Sequence, residues 1–335
     1  MVQGRDRRRY SFTPQPSGTR WYHTHAMAGH NLRIGTYSGQ FGMVVVAPRS
    51  DPARYDLEVP ILLHAWEPYF DSDMRMDVAF ALYSVNGKML GAGEPVRVRR
   101  AQRVLFRVVN ASATLGHRLA LPGHSFTVAA LDGNPVSTVQ KVPVLQLSPG
   151  ERVDAIVEMT NPGVWILGEE DDAQRAAGAG IVIEYAGARG RPQWSPPPKH
   201  VWDYSVFGAT QPAADPDVRH PLVIEPGKDG NLWAINGKSY PQTDPVILRR
   251  GGRNRLIFDN RSSMDHPVHL HRHTMEIVRW AGKPLSGVRK DVILVPAHQT
   301  VEADVVASNP GLSLFHCHQQ FHMDFGFMAL MRYSS

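Results

Sequence analysis

One cysteine, Cys317, stands among 335 residues, and this excludes an intramolecular disulfide framework. No run of about 18 apolar residues is present, so no helix is long and apolar enough to cross a membrane. No RNP, zinc-finger or basic-zipper pattern occurs either. The 36 Lys and Arg stand against 31 Asp and Glu, and the net charge of +5 is scattered, so nucleic acid is not an implied partner. The densest basic run is Arg5-Asp6-Arg7-Arg8-Arg9. A twin-arginine export signal needs an apolar stretch next, but Tyr10-Ser11-Phe12-Thr13-Pro14 follows, and the run reads as a solvated terminus. Long helices are disfavoured by 29 Gly and 26 Pro, which favour turns and short strands. With 42% apolar and 20% charged residues, whole-chain disorder is excluded. Length alone suggests about two domains. Histidine is what the chain has in excess: 16 residues.

Internal repeats refine the domain count. Pro95, Arg99-Arg100, Asn110, Ser112, His117, Leu121, His124, Gly133 and Pro135 recur, with shifts of one or two residues, as Pro245, Arg249-Arg250, Asn260, Ser262, His266, Leu270, His273, Gly282 and Pro284. A closing element appears three times. It spans Gly18 to His25, Gly163 to Glu170, and Gly311 to His318. The opening element appears only twice, so the first unit is expected to lack its front half. The expected organisation is a partial first domain over 1–58, a second over 59–190, a linker rich in Pro after Gly190, and a third over 203–335. Short Val/Leu/Ile/Phe-rich strands split by turn residues predict an all-β chain of tandem β-sandwiches. A half sandwich exposes unpaired strand edges, so the first unit is expected to be poorly ordered or completed by another copy in a homo-oligomer.

The histidines fall at ligand spacing. His269 and His271 are two apart, and on a strand they share a face while Leu270 points into the core. His266 precedes a Pro and is expected on a different local geometry, free to serve another site. His316 and His318 share a face, and alternation puts Cys317 on the other, within reach of His322. His23 and His25 align with His316 and His318, with Thr24 over Cys317, and should face a junction between units one and three. Two metal centres joined by a very short covalent path follow. A Cys thiolate with two imidazoles selects blue copper, and a carboxylate-free imidazole face suits clustered copper, whereas a closed zinc site prefers four ligands from one compact pattern. The middle unit is an internal control. Ala120, Pro122 and Gly168-Glu169-Glu170 replace His269, His271 and His316-Cys317-His318, so the fold does not demand the histidines. His117 and His124, which persist there, read as structural or surface residues.

These residues resemble the multicopper oxidases, especially laccase-like ones. Trp21-Tyr-His-Thr-His25 is similar to the family's second copper motif, His266-Pro-Val-His-Leu-His271 to the third, and His316-Cys-His-Gln-Gln-Phe-His322 to the fourth. The resemblance covers essentially the whole chain. It implies cupredoxin-like Greek-key sandwiches and copper as the cofactor. His266, Cys317 and His322 would bind a type 1 copper, His269 a type 2 copper, and His23, His25, His271, His316 and His318 a type 3 pair. It also implies that Cys317 passes electrons through His316 and His318 to a cluster where O2 becomes water. The implied partners are a small reducing substrate and O2, with neither nucleic acid nor membrane, and the implied location is periplasmic or secreted.

Three departures from the family pattern stand out. Its first motif, a His-Trp-His-Gly-like stretch, is absent, which leaves the type 2 set incomplete. His30 is a nearby unassigned candidate. The axial position after the Cys is Phe327, which cannot coordinate and is expected to raise the potential, with Met328 facing away. Arg272 replaces a usual Gly and is expected to add a cation beside the ligands. Asp324 is the candidate acid for proton delivery. Asp71-Ser-Asp-Met74-Arg-Met76-Asp77 reads as a half-buried strand or loop, or as a copper-uptake patch. The activity expected is that of a laccase-like oxidase of phenols, aromatic amines or low-valent metal ions. The alternative is a copper-binding or electron-transfer protein with a type 1 copper and an incomplete cluster. A two-domain nitrite reductase-like arrangement would put the type 1 Cys in the first domain, whereas Cys317 lies near the C-terminus.

Overall fold

The computed structural model describes residues 6–49, 54–70, 78–228 and 232–334. Arg5 and the whole Asp71–Asp77 segment lie outside the described residues.

Short strands dominate, as the Gly and Pro punctuation dictates. Residues 57–185 form two facing sheets. The five-stranded sheet runs Val144–Leu147, His117–Ala120, Val164–Glu169, Gly180–Tyr185, Val96–Val98 in spatial order. Residues 218–333 repeat that order with Val292–Val295, His266–Leu270, Ser313–Cys317, Met328–Tyr333 and Val246–Leu248. The six-stranded sheets match in the same way, each with one parallel pair: Leu57–Phe70 beside Arg103–Asn110, and Val218–Pro226 beside Arg253–Asn260. Inward residues of both sheets, such as Phe106, Val128, Leu145, Phe258, Leu270 and Phe315, are fully buried and make the sandwich cores. Backbone register confirms the repeat alignment: Ala120 pairs with Gly168 where His269 pairs with His316.

The first unit is a two-stranded sheet, Gly18–His23 against Phe41–Val46. These residues dock on the second unit. Thr19 donates to Asp154 at 2.5 Å, and Arg107 reaches both Thr19 and Asp154. Arg107 points outward from its sheet yet is buried, since the hairpin covers it. Close approach explains Gly18. Its φ is +120°, and a Cβ there would stand 2.1 Å from the Gly133 carbonyl oxygen.

Charge welds the units together. Asp132 and Arg152 come from the second unit, Lys290 and Asp291 from the third, and Arg20 from the first. Lys290 Nζ lies 3.0 Å from Asp132 and 2.9 Å from Glu151 with no exposure. Arg152 grips Asp291 with two bonds of 2.5 and 2.6 Å, and Arg20 lies 3.6 Å from Asp291. Tyr204 of the connecting segment donates to Glu151 in the same cluster. The flanking ion pair Arg107–Asp154 gives a direct test. Asp154→Ala should lower stability by about 3 kcal/mol, because it removes the acceptor of the Thr19 hydroxyl and one carboxylate partner of a buried Arg107. Denaturant titration, with proteolysis of the hairpin as a second probe, measures this.

Candidate metal centres

Strand geometry positions both ligand groups. The strand Ser313–Cys317 carries His316 and Cys317 on opposite faces, and the strand His266–Leu270 pairs with it. Pro267 does not break that strand. His266 therefore shares the regular strand geometry of His269, three residues away and on the opposite face, rather than the separate local geometry expected from the Pro. The short helix Gln320–Asp324 then brings His322 back over Cys317.

On the first face, Cys317 Sγ lies 3.8 Å from His266 Nδ1 and 3.6 Å from His322 Nδ1, and the two nitrogens are 3.2 Å apart. All three residues have zero exposure. Ser262 Oγ, 2.9 Å from His266 Nε2, fixes that ring. Trp233 packs on both imidazoles with centroids at 4.3 and 4.6 Å, and Phe327 lies 5.1 Å from His266. Phe327 thus fills space beside the donors without offering one. Met328 pairs through its backbone with His316. Burial pulls the His266 pKa down to about 3, lowers His322 well below its ordinary value and pushes the Cys317 thiol up. The site therefore holds neutral imidazoles and a thiol that a cation would deprotonate.

On the second face, His316 Nε2 lies 3.3 Å from His25 Nε2 and 3.0 Å from His271 Nε2. His316 Nδ1 is 2.7 Å from the Cys317 carbonyl, which only accepts, so Nδ1 carries the proton and Nε2 presents a lone pair. His23 and His269 are fixed in the same tautomer by the carbonyls of Thr24 at 2.8 Å and Asp291 at 2.7 Å. The ring centroids of His23 and His318 stand 5.1 Å apart, and those of His269 and His318 5.6 Å. Burial lowers all of these pKa values, to about 4 at His23 and about 3 at His271. Neutral nitrogens this close, with converging lone pairs, fit a cation between them. All nine candidate ligands are thus gathered at the two faces, and the His266–Cys317–His322 and His25–His271–His316 groups each converge within 4.8 Å.

Other candidates fall elsewhere. His30 packs on Phe325 at 4.6 Å, with Phe321 and Phe70 beyond, and so lies against aromatic rings rather than the imidazoles. Arg272 does not add a cation beside the ligands. Its guanidinium binds the carbonyls of Leu312 and Pro310 and the Asn309 side chain, and its φ of +67° explains why Gly would be at ease there. Asp324 accepts from the backbone N–H groups of Ala28 and Gly29 and from Gln320, so it anchors the turn after His25 rather than facing solvent; burial raises its pKa. His117 and His124 are buried, so the surface option for them is corrected. His117 copies His266, with Ser112 at 2.9 Å on one nitrogen and Glu169 at 2.9 Å on the other, where unit three has Cys317. His124 meets Tyr185 as His273 meets Tyr333. Sequence reasoning missed Trp233 and Ser262. The repeated Asn110/Ser112 and Asn260/Ser262 pairs signalled the serine, but nothing local signalled the tryptophan.

A family model described as multicopper oxidase matches residues 71–187, and a second of the same description matches 213–335. The multicopper oxidase MmcO of Mycobacterium tuberculosis is 30% identical over 369 residues, with 97% of this chain and 70% of that protein covered. Laccase-1 of Fomitopsis schrenkii is 24% identical, with 96% and 69% covered. Among solved structures, Fet3p, a multicopper oxidase that functions in iron import, superposes with a TM-score of 0.77 at 17% identity over 95% of this chain and 72% of that one. The laccase from Botrytis aclada gives 0.76 at 19% over 94% and 70%. These likenesses fix the fold as cupredoxin-like and all-β.

The buried imidazoles set a pH dependence. Their folded pKa values lie below the unfolded value near 6.5, so the unfolded chain binds more protons between 6.5 and about 3, and stability falls as pH drops through that window. The denaturation midpoint of metal-free protein should therefore be lower at pH 5 than at pH 7. An equal midpoint would contradict the buried, neutral cluster.

Proposed function

The chain belongs to the multicopper oxidases, and from that premise we propose that it is a laccase-like oxidase. It takes electrons one at a time from a small phenolic or aromatic reductant, or from a low-valent metal ion, and passes them to O2. The observation that carries this reading is the placement of two convergent ligand groups on opposite faces of one strand, with His316 and Cys317 adjacent in sequence. Bound copper supplies one-electron redox chemistry at the Cys317 face and O2 reduction at the imidazole face.

The chain's own groups do the rest. Cys317 Sγ and the Nδ1 atoms of His266 and His322 would hold the type 1 metal, and Ser262 fixes the His266 ring in that direction. Trp233 and Phe327 pack on the imidazoles and keep water from the site, and Phe327 offers no donor of its own. His316 and His318 present their rings to the second face while sharing a backbone with Cys317, the shortest covalent link between the two sites. His23, His25, His269 and His271 complete that face. Asp324, with a pKa raised by burial, is positioned behind the turn after His25 as the proposed source of protons for O2 reduction. A periplasmic or secreted location rests on family resemblance alone.

A second reading is an electron-transfer protein with only the type 1 copper. It is favoured by one observation: among the described residues, His269 has no second imidazole of its own for a type 2 site. Copper stoichiometry, EPR and O2 uptake separate the two. The oxidase reading expects four coppers per chain, a type 2 signal and reductant-dependent O2 uptake, with Cys317→Ser abolishing the blue absorption and reducing uptake to background. One blue copper with no uptake would leave only the electron-transfer reading.

A further inference from the structure

The ligand-free middle unit touches the imidazole face at two points. Its turn Pro149–Arg152 enters the cluster from the second sandwich. Gly150 abuts His318 so closely that a Cβ on it would stand 2.5 Å from the ring carbon Cδ2, and its φ is +83°. Two residues on, Arg152 holds both carboxylate oxygens of Asp291, at 2.5 and 2.6 Å. The same guanidinium also binds the Asp132 and Thr19 carbonyls, tying down both neighbours. Asp132 accepts from the backbone N–H groups of Asp291 and Val292 at 3.2 and 3.0 Å. Asp291 is therefore pinned through side chain and backbone alike, and its carbonyl takes the Nδ1 proton of His269 at 2.7 Å.

We propose that the turn Gly150–Arg152 of the middle unit is a positioning element for the imidazole cluster, Arg152 acting through Asp291 on His269 and Gly150 acting directly on His318. This rests on the copper reading above, but its geometry does not depend on the metal. Arg152 fixes the Asp291 carbonyl in space. That carbonyl fixes both the tautomer and the plane of His269, so Nε2 is left as the metal-facing lone pair. A flat guanidinium is required, because a single ammonium cannot hold two carboxylate oxygens and the carbonyls of Thr19, Gly150 and Asp132 in fixed directions. Gly150 contributes by having no side chain, since any Cβ would push His318 off its present position.

Two variants test this through separate contacts. Arg152→Lys keeps the buried charge and loses the fork. Gly150→Ala leaves every charge in place and displaces His318. In copper-loaded protein each should lose at least one copper per chain and alter the EPR signals of the cluster. The blue type 1 absorption should stay at the parent level, which also reports that the third unit is folded. In metal-free protein labelled with 15N-histidine, the His269 Nδ1 proton should exchange at least about tenfold faster in Arg152→Lys, because its carbonyl partner is released. Folded variants with parent copper content, parent EPR signals and unchanged exchange would overturn the proposal. Should Arg152→Lys fail to fold, Gly150→Ala decides alone. If the parent chain takes up no copper, the oxidase reading fails, and the exchange measurement still decides the positioning role.

Discussion

A β-strand has a side-chain period of two, and on the strand Ser313–Cys317 that period separates two kinds of chemistry. His316 turns to one face and Cys317 to the other, although one peptide bond joins them. The thiol face is sealed by Trp233 and Phe327, and its donors converge among apolar rings. The imidazole face opens instead onto the junction of all three units, where His23 and His25 arrive from the first and Gly150 from the second. Everything else in the architecture serves to bring the right neighbours to each side of that strand.

The middle unit shows what the scaffold does without metal. It keeps the strand order, the Asn–Ser pair and the buried histidine. Where unit three places Cys317, it places Glu169, whose carboxylate takes the proton-bearing His117 directly. A hydrogen bond between an imidazole and a carboxylate thus fills the position of a metal–ligand bond. His117 and His266 each meet a serine hydroxyl at Nε2, and the two units present different groups to Nδ1. The comparison also separates residues that build the sandwich from residues that build a centre. His124 and His273, each against a tyrosine hydroxyl, belong to the first class.

The parts of the site legible in the sequence were those governed by short-range periodicity. His-X-His spacing, the offset of Cys317 to His322 and the repeat alignment all follow from the two-residue period and from chain order, and the structure gathers those nine residues as expected. Long-range contacts were not legible. Arg272 looked like a cation beside the ligands, yet a positive φ turns its backbone and sends the guanidinium to the 309–312 turn. His30 is close in sequence to His25, but the turn after His25, anchored by Asp324, carries it to Phe325. Docking of the first hairpin came from Thr19, Arg107 and Asp154, an association across 88 and 135 residues that no local pattern encodes.

The charged cluster between the units also constrains how the chain folds. Asp132 and the backbone N–H of Asp291 are 159 residues apart, and Lys290 has no exposure once the cluster is closed. Its members come from separate sandwiches, so none can be desolvated at low cost until both sandwiches exist. Burying the cluster therefore requires both sandwiches to be in place. The cupredoxin units, repeats of one another though they are, are thereby joined by buried charge and not by the connecting segment alone.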